Sequence, residues 1–322
     1  MSAKLRRLLP LGAVFTLLGA LLVWSSAAVE GSKAGLLLCA NVIVPTLLPF
    51  FVLSDLLCAL GLPAALARRG AGVFRALFGV SGAGSAAFLL GLTGGYPLGA
   101  AAAADLRRSG GVSQREAQRL LLFCNNTGPA FILGMAGSGV FRSARAGLLL
   151  YLAHVLAAAA LGMALSGRKR APDAAPPSYR AVSLSAALPA AMQRAVKNAA
   201  LISGFVIFFS MLAALLRESG LYTLLAGFLY GRTPLSLGQS EALIAGVLEL
   251  GNGVAGLAGL APEPGNLALC AFILGWGGLS VQFQTAAVLA GTDLRAAPGV
   301  WAKLLHGALS AVLAYALAVL FL

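Results

Sequence analysis

The feature that most constrains this chain is a succession of long apolar runs. All but one of ten such segments are long enough to cross the hydrocarbon core of a bilayer as a helix. Of the 322 residues, 59% are hydrophobic and 10% charged, and the mean hydropathy is +0.90. Soluble domains carry about 25% charged residues, so we predict an all-α polytopic membrane protein. The segments cover residues 9–29, 35–62, 84–105, 118–140, 146–166, 195–216, 221–231, 241–261, 266–290 and 300–322.

The formal net charge of +13 does not indicate a nucleic-acid partner. The basic residues cluster in short loops between apolar runs, as expected for cytoplasmic loops of a membrane protein. The predicted partner is therefore the lipid bilayer. Lys4, Arg6 and Arg7 place the N-terminus in the cytoplasm, and we predict that residues 1–30 form a retained signal-anchor helix. The four cysteines lie in apolar segments without metal-binding spacing, so neither a metal site nor a disulfide framework is predicted.

Basic clusters at both ends of residues 71–105 indicate a re-entrant hairpin. Arg68 and Arg69 precede this segment, and Arg107 and Arg108 follow it. If both clusters are cytoplasmic, the chain between them enters and leaves the membrane from one side. The stretch "GVSGAGSAAF", residues 79–88, supplies a small-residue tip in this prediction. "GLTGGYPLGA", residues 91–100, then breaks the second arm of the hairpin.

The two halves of the chain resemble one another. "NVIVPTLLPFFVLSDLLCAL" from Asn41 aligns with "NAALISGFVIFFSMLAALL" from Asn198, and "GLTGGYPLGA" aligns with "GVLELGNGVAGLAG" from Gly246. A shared pentapeptide, AFILG, has a different offset, but it is apolar and carries little information. We predict two inverted repeats with re-entrant hairpins and broken helices, as in secondary transporters. Their bounds are 31–166 for the first repeat, 167–194 for a cytoplasmic linker and 195–322 for the second repeat.

Polar residues interrupt the apolar stretch "LLLFCNNTGPAFILG", residues 120–134. Asn125, Asn126 and Thr127 directly precede the helix-breaking pair Gly128-Pro129. A helix break frees backbone groups that lipid cannot satisfy, and these groups can bind a substrate or an ion. A single asparagine would more simply join two helices. The run of five such residues favours a binding site.

Three further stretches supply candidate site residues. In "TGGYPLG" the glycines permit close backbone approach, and Tyr96 can stack or hydrogen-bond. In "LELGNGVAG" an intramembrane Glu249 is a candidate ion-coupling group, while its alternative is a carboxylate near the membrane surface. His154 and His306 are interpreted as helix–helix hydrogen bonders. The remaining candidates for substrate binding are Thr93, Gly94, Gly95, Asn252, Trp276, Ser280 and Gln282.

The sequence shows no nucleophile–base pair and no phosphate-loop motif, so we expect a protein without enzymatic activity. No cofactor is predicted beyond a coupling ion, for which proton and sodium remain open. Homo-oligomerisation also remains open.

Four motifs carry a family resemblance. "VPTLLPFFVLSDLL", "GLTGGYPLGA", "LLLFCNNTGPAFILG" and "GWGGLSVQFQ" occur in order and resemble the YlbJ (SpoVV) family of sporulation integral membrane proteins. That family carries the nucleoside-recognition, or Gate, domain. The resemblance implies an endospore-forming bacterium and a role in moving dipicolinic acid from the mother cell across the outer forespore membrane. It implies a location in that membrane or in the bacterial cytoplasmic membrane.

Dipicolinate is a small aromatic anion with two carboxylates. In the predicted pose, opposed half-helix N-termini each bind one carboxylate, while neutral side chains complete the site. Asn125, Asn126 and Gln282 hydrogen-bond to the anion, and Tyr96 or Trp276 faces the ring. Two alternatives remain: a carrier of nucleosides or other small metabolites, and a non-transporting membrane scaffold.

Overall fold

The protein is built from helices. A computed structural model describes residues 3–166 and 182–322, which form helices and their connections without a strand. This confirms the predicted all-α class. The helices are α1 Ala3–Val23, α2 Ser25–Leu38, α3 Val44–Ala59, α4 Leu62–Phe78, α5 Gly82–Gly94, α6 Leu98–Arg108, α7 Gln114–Leu120, α8 Ala144–Ala164, α9 Leu184–Glu218, α10 Leu221–Tyr230, α11 Leu237–Leu248, α12 Leu250–Ala255, α13 Pro264–Trp276, α14 Gly278–Leu289 and α15 Ala297–Phe321, with π-helical segments π1 Cys39–Ile43 and π2 Ala130–Val140.

Several helices are long and apolar enough to cross a bilayer. Within the described residues these are α8, α9, α15 and the stretch Pro264–Leu289, and two bent helix pairs raise the number of candidate spans from four to six. Large apolar side chains such as Val312 and Leu320 on α15 are exposed, as expected where lipid is the solvent. The protein is an integral, multi-pass membrane protein.

The predicted N-terminal anchor over residues 1–30 is not one straight helix. Residues Leu11–Val23 and Ser25–Ile43 meet at 99°, with Trp24 between them. Helix α2 packs closely on α9, because a Cβ built on Gly35 would lie 2.8 Å from the Ser210 hydroxyl oxygen. Phe15 and Leu22 on α1 remain exposed. Thus α2 belongs to the helix bundle, and an anchor role for residues 1–30 stays a prediction.

The C-terminal part of the predicted linker over residues 167–194 is helical. Residues 167–181 lie outside the described residues, and α9 already begins at Leu184. The Ser183 hydroxyl caps this helix by accepting a hydrogen bond from the Ala186 N–H. A serine cap followed by an alanine-rich stretch favours helix, which explains why residues 184–194 are helical.

The first hairpin has its tip at a different place from the one predicted. Helices α5 and α6 fold back on each other, because a Cβ built on Gly91 would lie 3.2 Å from Gly99 Cα. The turn is formed by residues 95–97, which we call tip 1. The predicted tip, residues 79–88, instead begins α5, since Ser81 accepts a hydrogen bond from the Gly84 N–H as a helix cap. The chain bends by 88° just before α5.

The second half repeats this arrangement. Helices α11 and α12 fold back at Glu249, which we call tip 2, and a Cβ on Gly253 would collide with Gly246 Cα. Each half also contains a broken helix. Residues 121–128, called break 1, separate α7 from π2, and Gly277 with Gly278, called break 2, separates α13 from α14. The recurring pattern supports the predicted duplication; opposite orientation of the halves in the membrane stays a prediction.

Polar contacts join the two halves at one end of the molecule. Arg107 Nη2 lies 2.8 Å from Asp293 Oδ2, and Gln118 Nε2 donates to the Arg295 carbonyl at 2.8 Å. The hydrogen bond from Arg107 lowers the pKa of the Asp293 carboxyl below its ordinary value. Asp293 is therefore ionised at neutral pH and keeps this contact charged.

Candidate functional site

Each hairpin tip lies against the helix break of its own half. Gly95 in tip 1 has φ +79°, and a Cβ there would lie 2.7 Å from the Gly128 nitrogen in break 1. Gly278 in break 2 has φ +81°, and a Cβ there would lie 3.0 Å from Glu249 Cα in tip 2. Both the backbone conformation and the close approach require glycine.

The two halves also meet directly at this centre. The Thr127 hydroxyl donates to the Leu274 carbonyl at 2.7 Å. The Tyr96 hydroxyl lies 3.4 Å from the same oxygen and 3.5 Å from the Gly275 carbonyl. These hydroxyl groups of the first half donate to carbonyl groups at the end of α13, which have no N–H donor within their own helix.

A cavity opens between the tips, break 1 and helices α3, α9 and α14. It measures about 560 Å³ including the part open to the outside. Its wall is mostly apolar, with Phe50, Phe51 and Ile202 among the lining side chains. Concave apolar sites with a few polar groups are typical of small-molecule binding. The predicted site residues that line it are Thr93, Gly94, Gly95, Tyr96, Thr127 and Glu249.

Three predicted residues lie outside the cavity wall and hold helices together. The Asn125 amide donates to Thr285 Oγ1 at 2.8 Å, and its oxygen accepts from the backbone of Ala100. The Asn252 amide donates to Ser210 Oγ at 2.7 Å. Trp276 Nε1 donates to the Val247 carbonyl at 3.1 Å. In this conformation their polar groups are occupied, and a binding role for them stays a prediction.

Asn126 and Ser280 are fully buried near the two breaks. Asn126 Oδ1 and Ser280 Oγ have no hydrogen-bond partner within the described part of the chain, although the Asn126 amide donates to the Phe123 carbonyl at 2.8 Å. Buried polar atoms without partners are uncommon and require an explanation. A ligand can reach these atoms only if the packing around the breaks changes.

Of the two glutamines on α14, Gln284 lines the cavity in this conformation and the predicted Gln282 does not. Gln282 Nε2 donates to the Trp276 carbonyl at 3.1 Å, next to break 2, and this side chain does not line the cavity. Gln284 does line it and is 3% exposed. Residues two apart on a helix point to nearly opposite sides, because each residue turns the helix by about 100°. Only one of the two glutamines can therefore face the cavity.

Glu249 caps α12 and lines the cavity. Its Oε2 accepts a hydrogen bond from the Asn252 N–H at 2.7 Å, as the cap of α12. The side chain is 4% exposed and lines the cavity. The carboxyl group therefore stabilises tip 2 and lies within reach of a cavity ligand.

Comparison with known proteins identifies the family. The chain is 33% identical over 315 residues to the sporulation integral membrane protein YlbJ of Bacillus subtilis (strain 168), covering 89% of this chain and 76% of that protein. The chain belongs to the YlbJ family. No protein-family model and no solved structure matches it.

This YlbJ-family protein has a buried polar cluster behind the cavity that the sequence did not reveal. Lys303 Nζ lies 2.8 Å from the Asn125 carbonyl and 2.7 Å from His306 Nδ1. His306 Nε2 lies 3.0 Å from the His154 carbonyl, and the two rings lie 4.4 Å apart. His154 Nε2 accepts from the Thr127 N–H at 3.1 Å. The histidines thus join helices, as interpreted from the sequence.

Lys303 was missed because a lysine near the start of an apolar segment resembles an ordinary membrane-end residue. The available signal was its spacing from His306, since residues three apart share a helix face. A second signal was the matching spacing of Tyr151 and His154 in the first half.

Proposed function

We propose that this protein transports a small anionic metabolite, dipicolinic acid, across the outer forespore membrane during sporulation, without changing it chemically. The observation that carries the proposal is the meeting of both hairpin tips and break 1 around one cavity, with break 2 packed against tip 2. Secondary transporters build their substrate sites in this way. The name of the B. subtilis relative places that protein in sporulation and in a membrane.

The chemistry of the cavity suits a planar aromatic anion. Phe50 and Phe51 provide aromatic wall for a pyridine ring. Gly94, Gly95 and Gly128 expose backbone that a carboxylate can approach closely. The Gln284 amide, also in the wall, can donate a hydrogen bond.

Glu249 constrains how an anion can enter. A carboxylate in the wall repels the carboxylates of a bound anion unless it is protonated or paired with a cation. A proton or a sodium ion would therefore accompany the substrate. This supports the ion-coupling role predicted for Glu249.

The proposal is tested by uptake of labelled dipicolinate into proteoliposomes that contain the purified protein, with uridine in parallel. We expect saturable uptake of dipicolinate and none of uridine. Uptake of uridine alone would favour a nucleoside carrier. Uptake of neither compound by correctly folded protein would favour the membrane scaffold.

Gln284 and Gln282 offer a matched pair of substitutions on one helix. Gln284→Leu is expected to raise the KM for dipicolinate at least about tenfold, because a hydrogen bond to a charged group contributes about 1.5–3 kcal/mol. Gln282→Leu is expected to lower the thermal stability, since it removes the partner of the Trp276 carbonyl, while KM stays within about twofold. An equal rise of KM in both variants would contradict the assignment of Gln284 to the site.

A further inference from the structure

Lys303 has a role that the proposed function leaves open. We propose that its ammonium group is the buried positive charge that makes the cavity select anions over neutral molecules of the same shape. This inference rests on the proposed function and deepens it, because it assigns the charge selectivity of that site to one residue.

The surroundings of Lys303 supply no counter-ion for a positive charge. The side chain is 3% exposed, and its two hydrogen-bond acceptors are the Asn125 carbonyl and His306 Nδ1. A carbonyl oxygen can only accept, so His306 Nε2 carries the hydrogen that bonds the His154 carbonyl, and Nδ1 of a neutral ring is the acceptor from Lys303. Both partners of the ammonium are thus uncharged.

No carboxylate of residues 3–166 or 182–322 forms an ion pair with Lys303. Burial among neutral partners disfavours the charged form of a lysine, and such residues in a membrane protein are usually functional. An anion bound nearby would supply the missing counter-charge.

One aromatic side chain, Tyr96, links Lys303 to the cavity. Lys303 Nζ is 5.1 Å from the centroid of the Tyr96 ring, and Tyr96 lines the cavity. Charges interact strongly over such distances where water is excluded. The ammonium therefore attracts an anion in the cavity without touching it, and it offsets the repulsion from Glu249 on the tip 2 side.

Packing alone does not require a charge at this place. Tyr151 stands three residues before His154 on α8, as Lys303 stands three residues before His306 on α15. The Tyr151 hydroxyl lies 3.3 Å from the Leu92 carbonyl. A neutral side chain thus fills the corresponding position of the first half and bonds a backbone carbonyl there, as Lys303 does at Asn125.

The test compares dipicolinate with pyridine-2,6-dicarboxamide, a neutral planar analogue of nearly the same shape, as competitors for uptake of labelled dipicolinate. The wild type is expected to prefer the dianion. Lys303→Met, which keeps an unbranched chain without charge, is expected to reduce this preference at least about tenfold by weakening dipicolinate binding. Lys303→Arg is expected to retain it. Lys197→Met, which removes an exposed lysine of α9, serves as the control.

The outcomes separate the inference from the proposed function. A folded Lys303→Met variant that keeps the full preference, or that loses affinity for both compounds equally, would overturn the inference and leave transport intact. Equal competition by both compounds in the wild type would also overturn it, even if the variant does not fold. A wild type that takes up no dipicolinate would reject the proposed function and this inference with it.

Discussion

Replacing Glu249 with glutamine is expected to abolish net uptake driven by an ion gradient while exchange of internal for external substrate continues. The glutamine oxygen can still accept the hydrogen bond from the Asn252 N–H that Glu249 Oε2 accepts at 2.7 Å, so tip 2 keeps its cap. Only the charge is lost. A carrier that can no longer bind the coupling ion still exchanges loaded substrate but loses the driving force for net movement.

Glu263 provides a matched control for this prediction. It is also the cap residue of a helix, α13, but it is exposed and its side chain makes no cap hydrogen bond. Glu263→Gln is expected to leave net uptake unchanged. Separate proton and sodium gradients across proteoliposomes would identify the coupling ion. Net uptake by Glu249→Gln at the wild-type rate would contradict the ion-coupling role.

Glu249→Ala separates the cap from the charge. This variant loses the hydrogen bond to Asn252 as well, and the free energy of unfolding is expected to fall by about 0.5–2 kcal/mol, the usual range for loss of a helix cap. Thermal unfolding in detergent measures this difference. Glu249→Gln should unfold close to the wild-type temperature.

The helix breaks, and the presence of a hairpin before break 1, could be predicted because their residues act locally. Gly128 with Pro129 cannot continue a helix, and Gly95 adopts a positive φ that other residues avoid. These preferences are independent of tertiary context. The duplication was visible for the same reason. Gly91 and Gly246 each allow the two arms of their hairpin to approach closely.

The position of tip 1 could not be predicted, because small residues serve two purposes. The stretch around Ser81 has the composition of a turn, yet Ser81 caps α5 and the glycines after it permit close packing. A cap and a turn tip use the same residue types. Only the three-dimensional structure distinguishes them.

The orientation of polar side chains was also beyond sequence reasoning. Asn125 and Gln284 are both amides near helix breaks, but Asn125 bonds Thr285 and Gln284 faces the cavity. When a helix is broken, the direction in which the first part faces does not fix the direction in which the second part faces. The facing surface then depends on packing between distant segments.

Replacing Gly99 with alanine is expected to destabilise the protein strongly. A Cβ built on Gly99 would collide with the Cys124 carbonyl oxygen, and the Cys124 thiol already lies 3.3 Å from the Gly99 carbonyl. Helix α6 would have to move away from break 1. Backbone atoms cannot change rotamer to make room, so we expect a loss of about 3 kcal/mol or more, the upper range for overpacking.

Gly204→Ala is the appropriate comparison for this substitution. Gly204 also lies within a helix, α9, but no atom is within 4 Å of a Cβ built there. The alanine should stabilise the helix by up to about 1 kcal/mol, so the same chemical change has opposite signs at the two positions. Thermal unfolding of both variants in the same detergent measures the difference. Equal unfolding temperatures for Gly99→Ala and Gly204→Ala would show that α6 does not pack against break 1. They would also contradict the close contact between tip 1 and Gly128.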